Sequence, residues 1–514
     1  YRWLRHVEHI LQLEGGRQTQ RLPPDRAGLD RVARRLGLAD AEAFLTTLAG
    51  HAAEVSRLFA TLGEAEEGPP PAVLALLDPD LVGGPAGERA AEGDADAARE
   101  RDRQLLARLG FHDPTASAHE LELVRRKPLS PLGPAAQGAA RRIAPALLAE
   151  IARSPNPDQA LRYVSDLVSR RGVWSPIWRL FDEHPAIMRL LVSLLGTSDY
   201  LGKRFVRNPE LVDVLLDVGK SGGPPPRGEL AARLDARLAE VDPGDEGERW
   251  NVLAAEKNAE VLRIGLADVG GLLAPLAVCA ALSQLADLVL ERAFALVEGS
   301  LRERHGAPRG ADGREATMAV LGLGKLGGEE LGYAADLDLI FIYSDDGETG
   351  GGQGGRPLAN VEYMTRLAQR LMSGLHAHHE RGRLYEVDTR LRPSGSKGLL
   401  VSSLSAWRRY HQEEARLWER QALIKLRPVA GDARLGAEVA TLAAACVWGG
   451  AAGAVDRAAI AREITAMRAR IEHEHGRGGG DLKAGRGGLI DIEFAAQALQ
   501  LGVGAAHPAL HTPQ

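Results

Sequence analysis

An α+β fold is what this sequence predicts, with a small sheet-bearing unit embedded in mostly α-helical regions. Three observations point there. Most of the 514 residues lie in stretches with apolar side chains at helical spacing, and aromatics make up only 4%. Two short apolar runs, 316–324 (ATMAVLGLG) and 337–343 (LDLIFIY), carry β-branched or aromatic residues and read as buried strands. Between them lie a glycine-rich turn and a pair of acids.

Taken in order, residues 1–62 read as helices, with Trp3, Val7, Ile10 and Leu11 on one face and breaks at Gly15–Gly16 and at LPPD (22–25). Residues 63–103 shift to Pro, Gly, Ala and acids, too little apolar surface to hold one conformation, and read as a flexible linker. Helical periodicity returns over 104–218, where PAIMRLLVSLLG and PELVDVLLD each open on a proline in the first turn. GKSGGPPPRGE (219–229) reads as a second linker opening a helical lead-in, 219–300. The sheet-bearing unit spans 301–435. Besides its two apolar runs, RLYEVDTRL (383–391) reads as a third strand and ALIKLRPV (422–429) as a fourth. GETGGGQGG (347–355) reads as a flexible loop, followed by a helix with Val361, Met364, Ala368, Leu371 and Leu375 on one face. Residues 436–514 read as the start of a further helical domain, and both ends of the chain read as cut from something longer.

Composition narrows the function. Sixty-three Lys and Arg against 69 Asp and Glu give a net charge of −6, which offers no field steering the molecule onto nucleic acid or anionic lipid. Cys279 and Cys446, the two cysteines, exclude a disulfide scaffold and a thiolate zinc site and fit a reducing cytoplasm. No apolar run approaches the ~20 residues of a membrane span.

The chemistry concentrates in LGLGKLGGEELGYAADLDLIFIY, residues 321–343. On a strand, residues two apart share a side, so Asp336 and Asp338 point together while Leu337 and Leu339 enter the core. Converging carboxylates repel unless a cation lies between them, and hard oxygen ligands suit Mg²⁺. The glycines at 324, 327 and 328 would let backbone amides approach phosphate oxygens, with Lys325 as an added cation. Asp388, in VDTRLRPSG, is the candidate third carboxylate of a two-ion site, and Arg390 and Arg392 after it suit phosphate. The same acids also read as solvated strand caps, and Asp388 with Arg390 as a structural ion pair.

Strand, glycine turn, Asp-x-Asp strand, helix and a later strand with one more Asp is the layout of polymerase-β-like nucleotidyltransferases. The stretches GLGKLGGEELGYAADLDLIF, LYEVDTRLRPSGSKGLLVSS, EEARLWERQALIKLRPVAGD and DLKAGRGGLIDIEF further resemble the glutamine synthetase adenylyltransferase/adenylyl-removing enzyme family. That family joins two nucleotidyltransferase halves in tandem, each followed by a helical domain. The resemblance makes 1–62 the tail of the first helical domain and the following catalytic unit the second, adenylylating half. It implies transfer of AMP from ATP to a tyrosine of glutamine synthetase, with control by the PII signalling protein. Asp336, Asp338 and Asp388 would hold Mg²⁺, with Asp388 also accepting the tyrosine proton. Gly324, Lys325, Gly327, Gly328, Arg390 and Arg392 would bind the ATP. The removing half remains an alternative.

Other readings compete. Gly322-Leu-Gly-Lys-Leu-Gly327 fits the dinucleotide fingerprint, with Asp345 about twenty residues on, but GEELGYAAD is too short for the helix of a βαβ unit. A P-loop is excluded because Leu, not Ser or Thr, follows Lys325. His376, His378 and His379 lack the spacing of helical zinc ligands and read as a solvated helix end. Asp491 and Glu493 diverge on a helix and read as packing or domain-contact residues.

Overall fold

A computed structural model of the chain describes residues 22–23, 25–49, 69–77, 95–128, 130–169, 174–208, 211–212, 214, 223–352, 356–449, 457–475 and 481–513. The expected amino-terminal helix face at Trp3 to Leu11 lies outside them. The chain divides into two units, Tyr1–Gly87 and Glu88–Gln514.

In the first unit, helix Arg26–Arg35 starts at Asp25, whose carboxylate accepts the Gly28 amide at 2.7 Å. A second helix over 41–49 brings Phe44 onto Val32 and Ala33, and all three are fully buried. Helix Pro71–Leu77 also forms, inside the stretch expected to be a linker. That expectation fails again in the second unit, where helix Ala95–Arg108 begins. Its Asp102 is buried and paired with Arg125, so the acids and arginines of ADAARERDRQ act as specific partners.

Helices fill the second unit up to the sheet, the last two being α1 (Glu246–Val269) and α2 (Pro275–His305). The middle of α1 is unusual: Glu256, Lys257, Asn258 and Glu260 are all buried. Arg233 joins Glu256 at 2.6 Å and Glu260 Oε2 at 3.0 Å, while Glu260 Oε1 is buried without a hydrogen-bond partner. Lys257 donates to the Leu384 carbonyl at 2.7 Å and lies 4.6 Å from the centre of the Tyr385 ring. Burial pulls its ammonium well below the usual lysine range, and Arg204 adds to this.

The strands are β1 (Pro308–Gly310), β2 (Met318–Gly322), β3 (Leu337–Tyr343), β4 (Gly347–Thr349), β5 (His378–His379), β6 (Gly382–Arg383), β7 (Val387–Asp388), β8 (Val401–Ser403) and β9 (Arg427–Gly431). β2 and β3 pair antiparallel with Gly322 opposite Leu339, and β9 flanks β2. On the other side of β3, β7 pairs in parallel at its start and β8 in parallel at its end. β4 pairs with β1, so the expected glycine loop begins as a strand.

Helices α3 (Asn360–His376), α4 (Leu404–Glu413), α5 (Leu417–Leu423) and α6 (Ala433–Trp448) complete the unit. Ala319, Leu321, Ile340 and Ile342 form one core with Trp407, Leu423 and Val439 of α4, α5 and α6. Val320, Leu339 and Phe341, facing the other way, are equally buried, so the sheet is covered on both faces. On α3 Met364, Ala368, Leu371 and Leu375 are buried as the periodicity predicts, whereas Val361 is exposed. The fourth strand is displaced: Ala422 and Leu423 end α5, and only from Arg427 is the chain extended. Ile424 and Leu426 donate to carbonyls three residues back, closing turns that consume the apolar run.

His411 of α4 is buried with its ring centre 4.3 Å from that of Trp407, and its Nδ1 has no partner. Burial, helped by Arg420, lowers its pKa to about 4 from 6.5. Unfolded chains therefore bind this proton first, and the stability it contributes is lost as pH falls from about 6.5 toward about 4. The window spans ~2.5 pH units, on the order of 3 kcal/mol at most. Urea midpoints at pH 4.5, 5.5 and 7 should show the loss in the wild type and a flatter profile in His411→Leu. Parallel profiles would place the acid sensitivity elsewhere.

Helices α7 (Arg457–His475) and α8 (Leu489–Val503) follow. Against the expectation that no apolar run approaches a membrane span, one stretch among the described residues, Leu489–Ala506, is long and apolar enough to cross one by length and composition. It carries Asp491, paired with Arg468 of α7, and Glu493, 2.6 Å from Lys425 Nζ, so both acids make the packing contacts expected of them.

Candidate active site

Asp336 lies just before β3 and Asp338 is its second residue. Asp336 is exposed, Leu337 and Leu339 are fully buried, and Asp338 between them is half-buried. In the parallel pairing of β3 with β7, Asp338 lies directly in register with Asp388. Fifty residues of sequence separate the two acids, and the sheet makes them neighbours.

The electrostatics follow. Burial first, then the charges of Asp336 and Asp388, push the Asp338 carboxyl up to about 6, while Arg390 and Lys483 pull the other way. Asp388 is held below the usual range, chiefly by Arg390. Arg390 Nε lies 2.8 Å from Asp388 Oδ2, and its amide donates to Oδ1 at 2.8 Å. Among the described residues no three His, Cys, Asp or Glu side chains are gathered closely enough to hold a metal ion as they stand. The donor set nonetheless suits a hard cation, because Asp338 is raised by burial and then by its neighbours' charges, and such an ion would offset both.

The glycine turn is a single helical turn, Gly324–Gly327, entered from Leu323. Leu323 N donates to the Asp338 carbonyl at 2.9 Å, locking turn to strand. Gly324 has φ +52°, and a Cβ there would overlap the Asp338 carboxylate oxygen. Its glycine therefore serves the acid directly. Gly327 and Gly328 answer a different need. A Cβ on Gly327 would overlap the Lys425 carbonyl, and one on Gly328 would crowd Lys425 Cδ and the Pro513 carbonyl, each at 3.2 Å. Their amides already donate to Leu323 O at 2.8 Å and Gly324 O at 3.1 Å, so the expected phosphate contacts through those amides are taken up by the turn itself. Lys325 is exposed, and its charge bears on the Cys279 thiol.

Arg392 is likewise engaged. Its guanidinium donates to Thr389 O and Oγ1, both at 2.8 Å, and to Gly398 O and Ser396 O, both at 3.3 Å, closing the loop after β7. Arg392→Lys keeps the charge and loses the fork. Hydrogen exchange over residues 389–398 should accelerate at least several-fold; unchanged protection would remove the clamp role.

Sequence spacing missed the supports of this site. Arg427 grips Asp287 of α2 at 2.7 Å and the Leu326 carbonyl at 2.9 Å, tying the glycine turn to α2. Lys257 holds the segment leading into β7, four residues before Asp388. Lys425, nearly buried, joins Glu330 at 2.8 Å after the turn to Glu493 of α8. Lys257 lies in a polar run of α1 with Glu256, Asn258 and Glu260, so its sequence carries no signal that sets it apart from a solvated helix face. The histidine cluster is not merely solvated: His379 stacks on Trp250 with ring centres 5.5 Å apart, and His376 pairs with Glu386 at 2.7 Å.

The family described as glutamate-ammonia ligase adenylyltransferase matches residues 188–442, and that described as GlnD PII-uridylyltransferase matches residues 1–63. Among curated proteins, the chain is similar to bifunctional glutamine synthetase adenylyltransferase/adenylyl-removing enzymes. That of Thioalkalivibrio sulfidiphilus is 36% identical over 99% of this chain and 52% of its own length. That of Xanthomonas campestris pv. campestris strain B100 is 36% identical over 99% and 52%. That of Chromobacterium violaceum is 36% identical over 99% and 53%. The chain thus spans about half the length of these relatives.

Proposed function

We propose that the chain, whose residues 188–442 match the glutamate-ammonia ligase adenylyltransferase family, moves AMP from ATP onto a tyrosine hydroxyl of glutamine synthetase, in the control of nitrogen metabolism. The observation that carries the reading is the acid pair at the start of β3 in register with Asp388 of β7, inside the matched segment. We read 301–435 as a polymerase-β-like nucleotidyltransferase domain. Helical regions 104–218 and 219–300 precede it, and a helical domain begins at 436. The match of residues 1–63 to the GlnD PII-uridylyltransferase family supports PII as a regulator.

In the reaction, the tyrosine oxygen forms a bond to the α-phosphorus, the bond to the β-phosphate oxygen breaks, and pyrophosphate leaves with the developing charge. Asp336, Asp338 and Asp388 would hold Mg²⁺, with Asp388 exchanging its Arg390 partner for the ion. Two such ions supply charge stabilisation for the attacking and leaving oxygens. Asp388, whose carboxyl Arg390 holds below the usual range before any ion binds, fits a ligand better than a base, and the tyrosine proton then passes to solvent. Gly324 lets the Asp338 carboxylate sit against the backbone of the turn, which orients it without a side chain between them. Arg390 lies over the same acids and is placed to meet phosphate once released. Lys325 and the start of the turn offer further positive potential, and Arg392 acts through the loop that carries Arg390.

The test is incubation of the chain with purified glutamine synthetase and α-labelled ATP. Label on glutamine synthetase with release of pyrophosphate supports the reading. Release of ADP from adenylylated glutamine synthetase and phosphate, without forward transfer, would assign the chain to the removing activity instead.

A further inference from the structure

A cleft of about 620 Å³ opens between α5 and α7, and no residue of the acid site lines it. On α7, Ile460, Glu463, Met467 and Arg470 follow one another at three or four residues and so share one helix face toward the cleft. The opposite wall is Leu417, Trp418 and Arg420 of α5, with Arg416 just before it. The floor is firm, because Ile460 is buried in a cluster with Ile424, Ile464 and Leu501, against which Leu417 packs. Trp418 and Met467 are half-buried, which leaves an indole and a thioether partly open. The volume lies within the roughly 300–1,000 Å³ of small-molecule sites.

The charges of this cleft are unspent. Arg468, one residue from Met467, is paired with Asp491, and Arg486 with Glu472. Arg416, Arg420 and Arg470, by contrast, make no ion pair among the described residues. Arg420 is half-buried, and its Nε is buried with no hydrogen-bond partner, a state that costs stability unless an acceptor arrives. Glu463 is the one carboxylate among the described lining residues, so three guanidinium groups leave two net positive charges over an apolar floor.

We infer that this cleft binds a small phosphate monoester with a flat ring body, the chemistry of a nucleoside monophosphate. A phosphate monoester carries a charge of about −2 at neutral pH and three acceptor oxygens, which matches the net charge of the cleft. Guanidinium forks meet such oxygens two at a time, and Arg420 and Arg470 supply them from opposite walls. The ring body lies against Trp418 and Met467, and Glu463 accepts from its hydroxyl or amine donors. This second ligand site does not rest on the nucleotidyl-transfer reading. Its α5 wall nevertheless runs within two residues to Lys425, which bridges Glu330 to Glu493 and whose carbonyl lies against Gly327. An occupant therefore bears on an element that supports the glycine turn.

The experiment follows hydrogen–deuterium exchange of the full chain titrated with AMP, with adenosine and with inorganic phosphate, all without added Mg²⁺. AMP should slow exchange over residues 415–420 and 459–470 at least several-fold, and more than adenosine or phosphate does at the same concentration. Arg470 is exposed, so Arg470→Met should fold as the wild type does. In that variant the AMP concentration for half-maximal protection of 459–470 should rise about ten-fold or more, the loss of one charge-assisted contact. Arg420→Met should do the same from the other wall. Protection confined to residues 321–343 would place AMP at the acids and overturn the assignment. So would an unchanged midpoint in Arg470→Met, no protection by AMP, or equal protection by adenosine or by phosphate alone.

Discussion

Asp338→Asn should lower transfer of AMP from ATP by at least a hundred-fold, while the protein becomes more stable. The carboxylate lies in register with Asp388 and beside Asp336, and its charge is opposed by burial and by both neighbours. Asn preserves the shape and removes the ligand charge. Losing a metal contact in the transition state costs a factor of ten in rate for every ~1.4 kcal/mol. The stability effect has the opposite sign. A folded-state pKa raised from 3.8 to about 6 means the native state carries a strained charge above pH 6. Removing it at pH 7 returns up to ~3 kcal/mol. As pH falls through about 6 toward about 4, the wild type protonates Asp338 and the difference between the two proteins closes. Label transfer and urea unfolding on the same preparations check both halves. A variant retaining more than a tenth of wild-type transfer would remove Asp338 from the site.

Gly324→Ala and Gly327→Ala should separate activity from stability. At Gly324 the added methyl overlaps only the end of the Asp338 side chain, which can rotate away, and the φ of +52° costs a non-glycine residue ~1 kcal/mol. Unfolding should shift modestly, yet a displaced carboxylate should depress transfer about a hundred-fold. At Gly327 the methyl meets the Lys425 backbone carbonyl, which cannot swing aside. Gly327→Ala should therefore lose several kcal/mol of stability, on the scale of overpacking a tight core. Equal effects of the two substitutions on midpoint and rate would refute the division of labour drawn within the turn.

What the sequence made legible were features set by local composition and periodicity. The short apolar run 337–343, rich in β-branched and aromatic residues, located β3 to its ends. Met364, Ala368, Leu371 and Leu375 located α3 by their helical spacing. The run Ala422 to Leu426 misled, since a short apolar stretch looks alike whether it closes a helix or forms a strand, and here α5 and its turns claimed it. Residues 95–103 misled differently: their acids and arginines have tertiary partners that composition cannot reveal. At the site, three acids were readable and their surroundings were not. That Gly324 serves a carboxylate while Gly327 and Gly328 serve Lys425 and Pro513 depends on neighbours 14 to 185 residues away. The commitment of Arg390 and Arg392 to local oxygens is equally invisible in an alternating R-L-R pattern.

The seam between β3 and β7 has a consequence for heat tolerance. It rests on two register pairs, Leu337 with Val387 and Asp338 with Asp388, across about fifty residues of chain. Closing so long a loop for so few bonds is entropically expensive, and Lys257 is its main buried fastener. On warming, this seam should part before the antiparallel β2–β3 ladder melts. Catalysis would then be lost reversibly several degrees below the calorimetric transition, with cooling restoring the rate as fast as the two strands can find each other again.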